Sequence, residues 1–268
     1  MLGIFSRAVI KTGTAESRIG FASEGGGSYE VWDRCLTVDG KRAYHLGNVC
    51  QTCQFLFERL DGANTSVEVD RAVDALGVGI SSISDPVVAG IGTGLPTDDY
   101  IVCLSDAKLQ LVRPGDQDDY FRKEQTDLWG VNAFWDLPHD PRVPCYRAGD
   151  VNLEKGVRLF HFVIPMFPES WLKKGVVSEY ADRFDEEASP TPIAIALLDV
   201  KGPAIFEGEI VDPAEHWTIA HFLIDGHHKA AAARKTGRAV RLLNFLSLTH
   251  GISSREQVER SVDASSPE

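Results

Sequence analysis

The chain has 268 residues, of which 43% are hydrophobic and 25% charged, so it is long enough to bury a sizeable core and has the composition of a globular protein. Its 27 basic and 39 acidic residues leave a net charge of −12. This argues against a nucleic-acid partner, because such proteins neutralise phosphates with Lys and Arg. No apolar run of about 18 residues occurs, so no membrane-spanning helix or membrane partner is expected. The cysteines are odd in number and no secretory signal precedes them, which favours a reduced, cytoplasmic location.

Four regions are predicted along the chain. Residues 1–28, which end in a glycine-rich stretch, are predicted to form a poorly ordered leader. Residues 29–150 are predicted to form an N-terminal region that contains all the cysteines. Residues 151–250 are predicted to form an α/β domain, and residues 251–268 a terminal helix and tail.

The N-terminal region has few clear elements. Tyr100–Leu104 and Lys108–Val112 have the pattern of short strands, and Phe55–Leu60 is predicted to begin a helix. The segment Trp129–Gly149 is rich in proline and aromatic residues, which excludes a long regular element there.

The elements from about residue 156 onwards are easier to identify. Apolar, β-branched runs predict strands at Val157–Ile164, Pro192–Val200, Trp217–Ile224 and Ala239–Leu248. Helical spacing of apolar residues or an alanine run predicts helices at Glu169–Glu187, His227–Thr236 and Arg255–Val262. Because strands and helices alternate, the sequence predicts a mixed α/β (α+β) fold for this domain.

The segment Asp225–Lys229, with the sequence Asp-Gly-His-His-Lys, joins a predicted strand to a predicted helix. Gly226 permits a tight turn and the close approach of a ligand or another backbone segment. The first N–H groups of the helix have no internal partner, and with the helix dipole they attract an anion. His227, His228 and Lys229 can add charge-assisted hydrogen bonds to a phosphate oxygen. These four residues therefore predict a phosphate-binding turn.

Charge supports this location, because His221–His250 is the basic part of an acidic chain. Its basic residues are Lys229, Arg234, Lys235, Arg238 and Arg241. Its single acid, Asp225, has two open roles: it can cap the helix, or it can act as a base or metal ligand near a phosphate.

This strand, turn and alanine-rich helix resemble the ParB/sulfiredoxin-like superfamily over about Thr191–Leu248. In that superfamily's Gly-x-His-Arg pattern, Gly226, His228 and Lys229 take the three named places. The closest variant, Asp-Gly-His-His-Arg, is found in ParB-like families that include free-serine kinases. The resemblance implies a mixed-sheet domain whose loop binds nucleotide or phosphate. Lys229 departs from the pattern, because Lys offers a point charge instead of a bidentate fork. His227 stands where sulfiredoxin has its reactive cysteine, so sulfinic acid repair is not implied.

A second cluster of candidate ligands lies near the N-terminus. Cys35, His45, Cys50 and Cys53 match the Cys₃His set that binds tetrahedral Zn²⁺, and a Cys-x-x-Cys pair places two thiolates on one turn. The alternatives are incidental cysteines with a surface histidine, or a redox-active Cys-x-x-Cys pair. The sequence therefore predicts a zinc site in the N-terminal region and leaves both alternatives open.

The first functional hypothesis is a ParB-like phosphotransferase or nucleotide hydrolase. Gly226 and the following N–H groups would cradle a phosphate, and His228 and Lys229 would neutralise charge that develops during transfer. A carboxylate, from Asp225 or Glu207, would hold Mg²⁺ or act as a base. The predicted ligand is a small phosphorylated molecule or a nucleotide of the ATP, ADP or CTP class, with Mg²⁺.

Two further hypotheses compete with the first. One is a non-catalytic binding or interaction module in which zinc is structural and the turn senses a ligand. The other is a DNA-associated ParB-like protein. The net charge and the lack of a recognisable helix-turn-helix count against DNA. The sequence defines no protein partner.

Overall fold

The computed structural model describes residues 2–26, 29–47, 55–65, 76, 78–129, 144–185, 190–202, 204–206, 209–212 and 214–267. The strands in these ranges are β1 (Gly3–Thr12), β2 (Ile19–Gly26), β3 (Tyr29–Val38), β4 (Lys41–Gly47), β5 (Phe55–Arg59), β6 (Asp98–Ala107), β7 (Gln110–Val112), β8 (Cys145–Glu154), β9 (Val157–Pro165), β10 (Ile193–Lys201), β11 (Ala204–Phe206), β12 (Glu209–Asp212), β13 (Glu215–Asp225) and β14 (Val240–Ser247). The α-helices are α1 (Pro86–Gly92), α2 (Glu124–Trp129), α3 (Lys174–Asp185), α4 (His227–Thr236) and α5 (Arg255–Ala264). Short 3₁₀ turns lie at Asp61–Asn64 and Glu169–Trp171.

An eight-stranded mixed sheet forms the centre of the fold, in the order β1-β6-β14-β10-β13-β9-β8-β7. Its parallel pairs are β10 with β14 and β9 with β13, and its other neighbours are antiparallel. A separate antiparallel sheet has the order β2-β3-β4-β5. The predicted mixed α/β fold is therefore confirmed.

Alternate residues of the central strands pack on opposite faces, as the two-residue period of a strand requires. On β10, Ile195 packs in a core with the small sheet and α1, which contribute Leu36 and Val88. Its neighbour Ala194 packs in a second core with α3, α4 and α5. The central sheet thus lies between a helical layer and a layer formed by the small sheet and α1. None of the helices in the described ranges combines the length and apolar character needed to cross a membrane.

Several predicted elements of the C-terminal part are confirmed. The strands predicted near residues 157, 192, 217 and 239 correspond to β9, β10, β13 and β14, and the predicted helix His227–Thr236 is α4. The helix predicted at Glu169–Glu187 begins later, at Lys174, because a 3₁₀ turn occupies Glu169–Trp171.

The N-terminal predictions need correction. Residues 3–12 and 19–26, predicted as a poorly ordered leader, form β1 and β2. β1 is ordered by pairing with β6 along its length, from Gly3 to Thr12. The predicted helix at Phe55–Leu60 is wrong, because Phe55–Arg59 is β5 and pairs with β4.

The predicted boundary between residues 150 and 151 falls within the central sheet. β8 runs across it, and β6 and β7 from the predicted N-terminal region belong to the same sheet as β9, β10, β13 and β14. β1, from the predicted leader, is also a strand of this sheet. The reason is non-local pairing, since β6 is the direct neighbour of β14.

A buried ion pair joins the small sheet to the central sheet. Arg34 of β3 donates to both carboxylate oxygens of Asp199 on β10, at 2.9 and 3.1 Å, and to the carbonyl oxygen of His250 at 2.8 Å. The His250 ring stacks on Phe21 of β2, with ring centroids 4.2 Å apart. These contacts fix the position of the small sheet on the central sheet.

Candidate functional site

The Asp-Gly-His-His-Lys turn has the predicted strand–turn–helix geometry. β13 ends at Asp225, Gly226 has left-handed backbone angles (φ 87°, ψ 24°), and α4 begins at His227. A Cβ atom added to Gly226 would lie 2.6 Å from the Cα of Pro192. The close approach that requires glycine is therefore the approach of another part of the chain.

Gly226→Ala is expected to lower the free energy of unfolding by about 3 kcal/mol, because a left-handed non-glycine residue and a steric overlap both cost energy. Gly237 at the other end of α4 is a matched control. It is also left-handed (φ 68°), but a Cβ there meets no atom within 4 Å, so Gly237→Ala should cost only about 1 kcal/mol. Urea unfolding measures both values. Equal losses for the two variants would contradict the steric argument.

The side chain of His227 already contacts other groups of the protein. Its side chain is buried, its Nε2 accepts the backbone N–H of Met166 at 3.0 Å, and its ring stacks on Phe167 at a centroid distance of 4.0 Å. Burial, with a smaller effect of His228, lowers the pKa of His227 to about 3. The ring is therefore neutral near pH 7, and Nε2 has no proton to offer the predicted phosphate.

His228 and Lys229 also contact protein groups. The Nε2 of His228 accepts the backbone N–H of Lys173 at 3.0 Å, and its pKa is lowered by partial burial and then by Lys173. The buried ammonium of Lys229 donates to the carbonyl oxygen of Thr191 at 3.2 Å and to Asp225 Oδ2 at 3.3 Å. Burial lowers the pKa of Lys229, and the Asp225 carboxylate opposes that shift.

The start of α4 has no side-chain cap. Asp225 pairs with Lys229 instead, so of its two predicted roles the capping role is not observed. Gly226, His227 and Lys229, which surround the first turn, are all buried. Because a helix start leaves N–H groups without internal partners, this buried turn retains donors for water or a ligand.

Of the predicted zinc ligands, Cys35 and His45 are cross-strand neighbours on β3 and β4. Arg42 donates from Nε to Cys35 Sγ at 3.0 Å and also contacts Asp33, whose Oδ1 lies 2.8 Å from His45 Nε2. Burial raises the pKa of the Cys35 thiol, and the hydrogen bond from Arg42 opposes that shift.

This arrangement does not fit a zinc ion among the described residues. The cation that bridges Cys35 and Asp33 is the guanidinium of Arg42, and a metal ion would have to displace it. Within the described ranges, no three His, Cys, Asp or Glu side chains are arranged to hold a metal ion. Cys50 and Cys53 lie outside the described residues, so the four-ligand site stays a prediction.

A buried polar chain across the central sheet has no counterpart in the predicted sites. His161 Nδ1 lies 3.2 Å from His221 Nε2, and His221 Nδ1 lies 2.8 Å from Asn244 Oδ1. At its ends, Asn244 donates to Ser105 Oγ at 3.1 Å and His161 Nε2 lies 3.0 Å from Ser265 Oγ. Burial lowers the pKa of His221 to about 4 and that of His161 well below 6.5, an effect that the neighbouring His221 increases. The sequence signal that could have indicated this chain is the alternation of its residues with apolar neighbours along the strands.

A second polar cluster lies near the starts of β9 and β13, away from the Asp-Gly-His-His-Lys turn at the end of β13. The Tyr120 hydroxyl is 2.9 Å from His216 Nδ1, and Arg147 donates to Glu124 Oε1 at 2.6 Å. The buried side-chain atoms without a hydrogen-bond partner in the described part of the chain are Glu124 Oε2, Gln125 Oε1 and Nε2, and Thr218 Oγ1. Such buried orphan groups are uncommon and indicate a place for water or ligand. Their residues come from separate segments, so no local spacing could predict the cluster.

Comparisons of the chain with protein-family models, with curated proteins and with solved structures returned no match. The resemblance to the ParB/sulfiredoxin-like superfamily therefore stays a prediction.

Proposed function

We propose that the protein binds a small phosphate-bearing molecule of the nucleotide class at the start of α4. The observation that carries this proposal is the buried, uncapped first turn of α4. Its N–H groups and the positive end of the helix dipole favour an anion, and the ammonium of Lys229 lies in the same turn.

The geometry favours binding over phosphoryl transfer. His227 and His228 both accept backbone N–H groups at Nε2. Neither Nε2 atom is therefore free to donate to a transferred phosphoryl group. The role predicted for His228, neutralising charge that develops during transfer, has no support from its Nε2 atom. The non-catalytic binding module is the better supported of the hypotheses.

Asp225 is the group at this turn that suits Mg²⁺. Its side chain is 36% exposed and, among the described residues, accepts a hydrogen bond from Lys229. A partly solvated carboxylate can hold Mg²⁺ that also binds the ligand's phosphate oxygens. Glu207, the other predicted carboxylate, lies outside the described residues.

The test is a thermal-shift and calorimetric titration with ATP, ADP, CTP and inorganic phosphate, each with and without Mg²⁺. A ligand that binds only the folded state raises its stability by about 2.7 kcal/mol at 100 times the dissociation constant. Lys229→Met keeps the apolar stem and removes the charge, so binding should weaken about tenfold.

Lys235→Met is the matched control, because it removes the same charge from the exposed last turn of α4. It should leave the affinity unchanged. If no probe raises the melting temperature of the wild type, or if the two variants bind alike, the proposal is wrong.

A further inference from the structure

The connection from β9 to α3, the strap (Met166–Lys173), lies against the first turn of α4. Consecutive histidines of that turn hold its two ends. His227 Nε2 accepts the backbone N–H of Met166 at 3.0 Å, and His228 Nε2 accepts that of Lys173, also at 3.0 Å. The strap is therefore tied to the helix start at which the phosphate-bearing ligand is proposed to bind.

In its observed position the strap leaves room for about one water molecule beside the first residue of α4. A void of about 10 Å³ lies between the strap and the β7–β8 edge of the central sheet. The residues that line it include His227 of α4, Phe167 and Leu172 of the strap, Leu111 of β7 and Tyr146 of β8. A void of this size holds at most one water molecule. A phosphate group beside His227 therefore requires the strap to move.

The Met166 end of the strap is firmly fixed. Met166 is buried, and its carbonyl oxygen accepts a hydrogen bond from Arg59 Nε at 3.2 Å. The preceding carbonyl oxygen, of Pro165, accepts from the Tyr44 hydroxyl at 2.6 Å. These bonds add to the one that His227 makes with the Met166 N–H, so movement of the strap should start at its other end.

The Lys173 end is held by fewer contacts. Lys173 is exposed, and the hydrogen bond from its N–H to His228 ties it to α4. α3 follows at once, and its second residue, Gly175, is exposed and has space for a Cβ atom. Glycine weakens a helix relative to alanine. The first turn of α3 can therefore unwind when the Lys173 end lifts.

The exposed middle of the strap adds little resistance. Glu169 pairs with Arg113 at 3.0 Å, but these side chains are 46% and 47% exposed, and exposed ion pairs contribute little. The guanidinium carbon of Arg59 lies 5.9 Å from the centroid of the Trp171 ring, near the outer limit of a cation–π contact. The hydrogen bond from Lys173 to His228 therefore acts as the latch at this end.

We propose that the strap is a lid over the start of α4, latched by the hydrogen bond from Lys173 to His228, and that the ligand binds when the latch is open. The inference rests on the proposed function for its ligand. Because only the open fraction of the protein binds, the apparent dissociation constant is the intrinsic constant divided by that fraction. Weakening the latch should therefore strengthen binding, which is the opposite of removing a ligand contact.

The experiment has two measurements on the full chain. NMR gives the exchange rate of the Lys173 amide hydrogen without ligand, and calorimetry gives the Kd of the tightest-binding probe among ATP, ADP, CTP and inorganic phosphate. Both depend on the open fraction. His228→Leu removes the acceptor, so the exchange rate should rise about two- to tenfold and Kd should fall by the same factor.

His228→Gln is the matched control for His228→Leu. The glutamine carbonyl oxygen can replace Nε2 as the acceptor, so the exchange rate and Kd should both stay close to those of the wild type. Gly175→Ala tests the opposite direction. A Cβ atom there meets no atom within 4 Å, and alanine strengthens the first turn of α3. The exchange rate should therefore fall, and Kd should rise, by about two- to fivefold.

Three results would count against the lid. An unchanged exchange rate in His228→Leu overturns it and leaves the proposed function standing. Weaker binding by His228→Leu makes His228 a contact of the ligand and also overturns the lid. If no probe binds the wild type, the proposed function is wrong, and the part of the lid in binding falls with it whatever the exchange rates are.

Discussion

Acidification from about pH 6.5 to about pH 5 is expected to lower the free energy of unfolding by about 3 kcal/mol through two buried histidines alone. Burial lowers the folded-state pKa of His221 to about 4 and that of His227 to about 3, from an ordinary value of 6.5. Between these values the unfolded chain binds protons that the folded chain does not. The stabilisation is therefore complete above about pH 6.5 and is lost as the pH falls.

The slope of the free energy of unfolding against pH shows how many histidines are responsible. Each histidine contributes about 1.4 kcal/mol per pH unit, so the two together contribute about 2.7 kcal/mol per unit. His161, whose pKa is lowered in the same direction, steepens the slope further. Urea unfolding at a series of pH values measures it. His227→Gln should reduce this slope by about 1.4 kcal/mol per pH unit, whatever the stability of the variant at pH 7. An unchanged slope would mean that His227 is protonated in the folded protein.

Arg34→Met is expected to lower the free energy of unfolding by about 3–5 kcal/mol, because it leaves a buried carboxylate without its cation. The side chains of Arg34 and Asp199 are only 5% and 11% exposed. After the substitution, Asp199 keeps the N–H of Ile252 at 2.8 Å as a donor, which does not replace a guanidinium.

Arg18→Met is the control for this prediction. Arg18 makes the same bidentate contact with Asp39, at 2.8 and 2.9 Å, but these side chains are 48% and 40% exposed. Exposed ion pairs contribute little to stability, so the loss should be a small fraction of that in Arg34→Met. Arg34→Met/Asp199→Leu should recover part of the lost stability, because no unpaired charge stays buried. Similar losses for Arg18→Met and Arg34→Met would contradict the role of burial.

The sequence predicts the elements whose signal is local. β9, β10, β13 and β14 are long apolar runs, and α4 combines an alanine run with glycine at each end. β1 and β5 escape prediction because pairing with a neighbouring strand, and not an apolar run, defines them. The sequence also does not show which strands share the central sheet. Ser105 of β6 and Asn244 of β14 are neighbours in space but far apart in sequence.

The candidate site was predictable in its backbone and not in its side chains. The sequence indicated the turn at Gly226 and the helix start after it. The partners of the two histidines are the N–H groups of Met166 and Lys173, in the connection from β9 to α3. No spacing within the turn could show that a distant segment would use the imidazole rings as acceptors.

The position of β14 has a consequence for synthesis of the protein on the ribosome. β14 pairs with β6 on one side and β10 on the other, so it is the strand through which β1 and β6 join the remaining five strands of the central sheet. Until residues 240–247 leave the ribosomal tunnel, the long inner edges of β6 and β10 stay unpaired. Unpaired strand edges are sites of aggregation. The nascent chain should therefore depend on chaperones until β14 has left the tunnel.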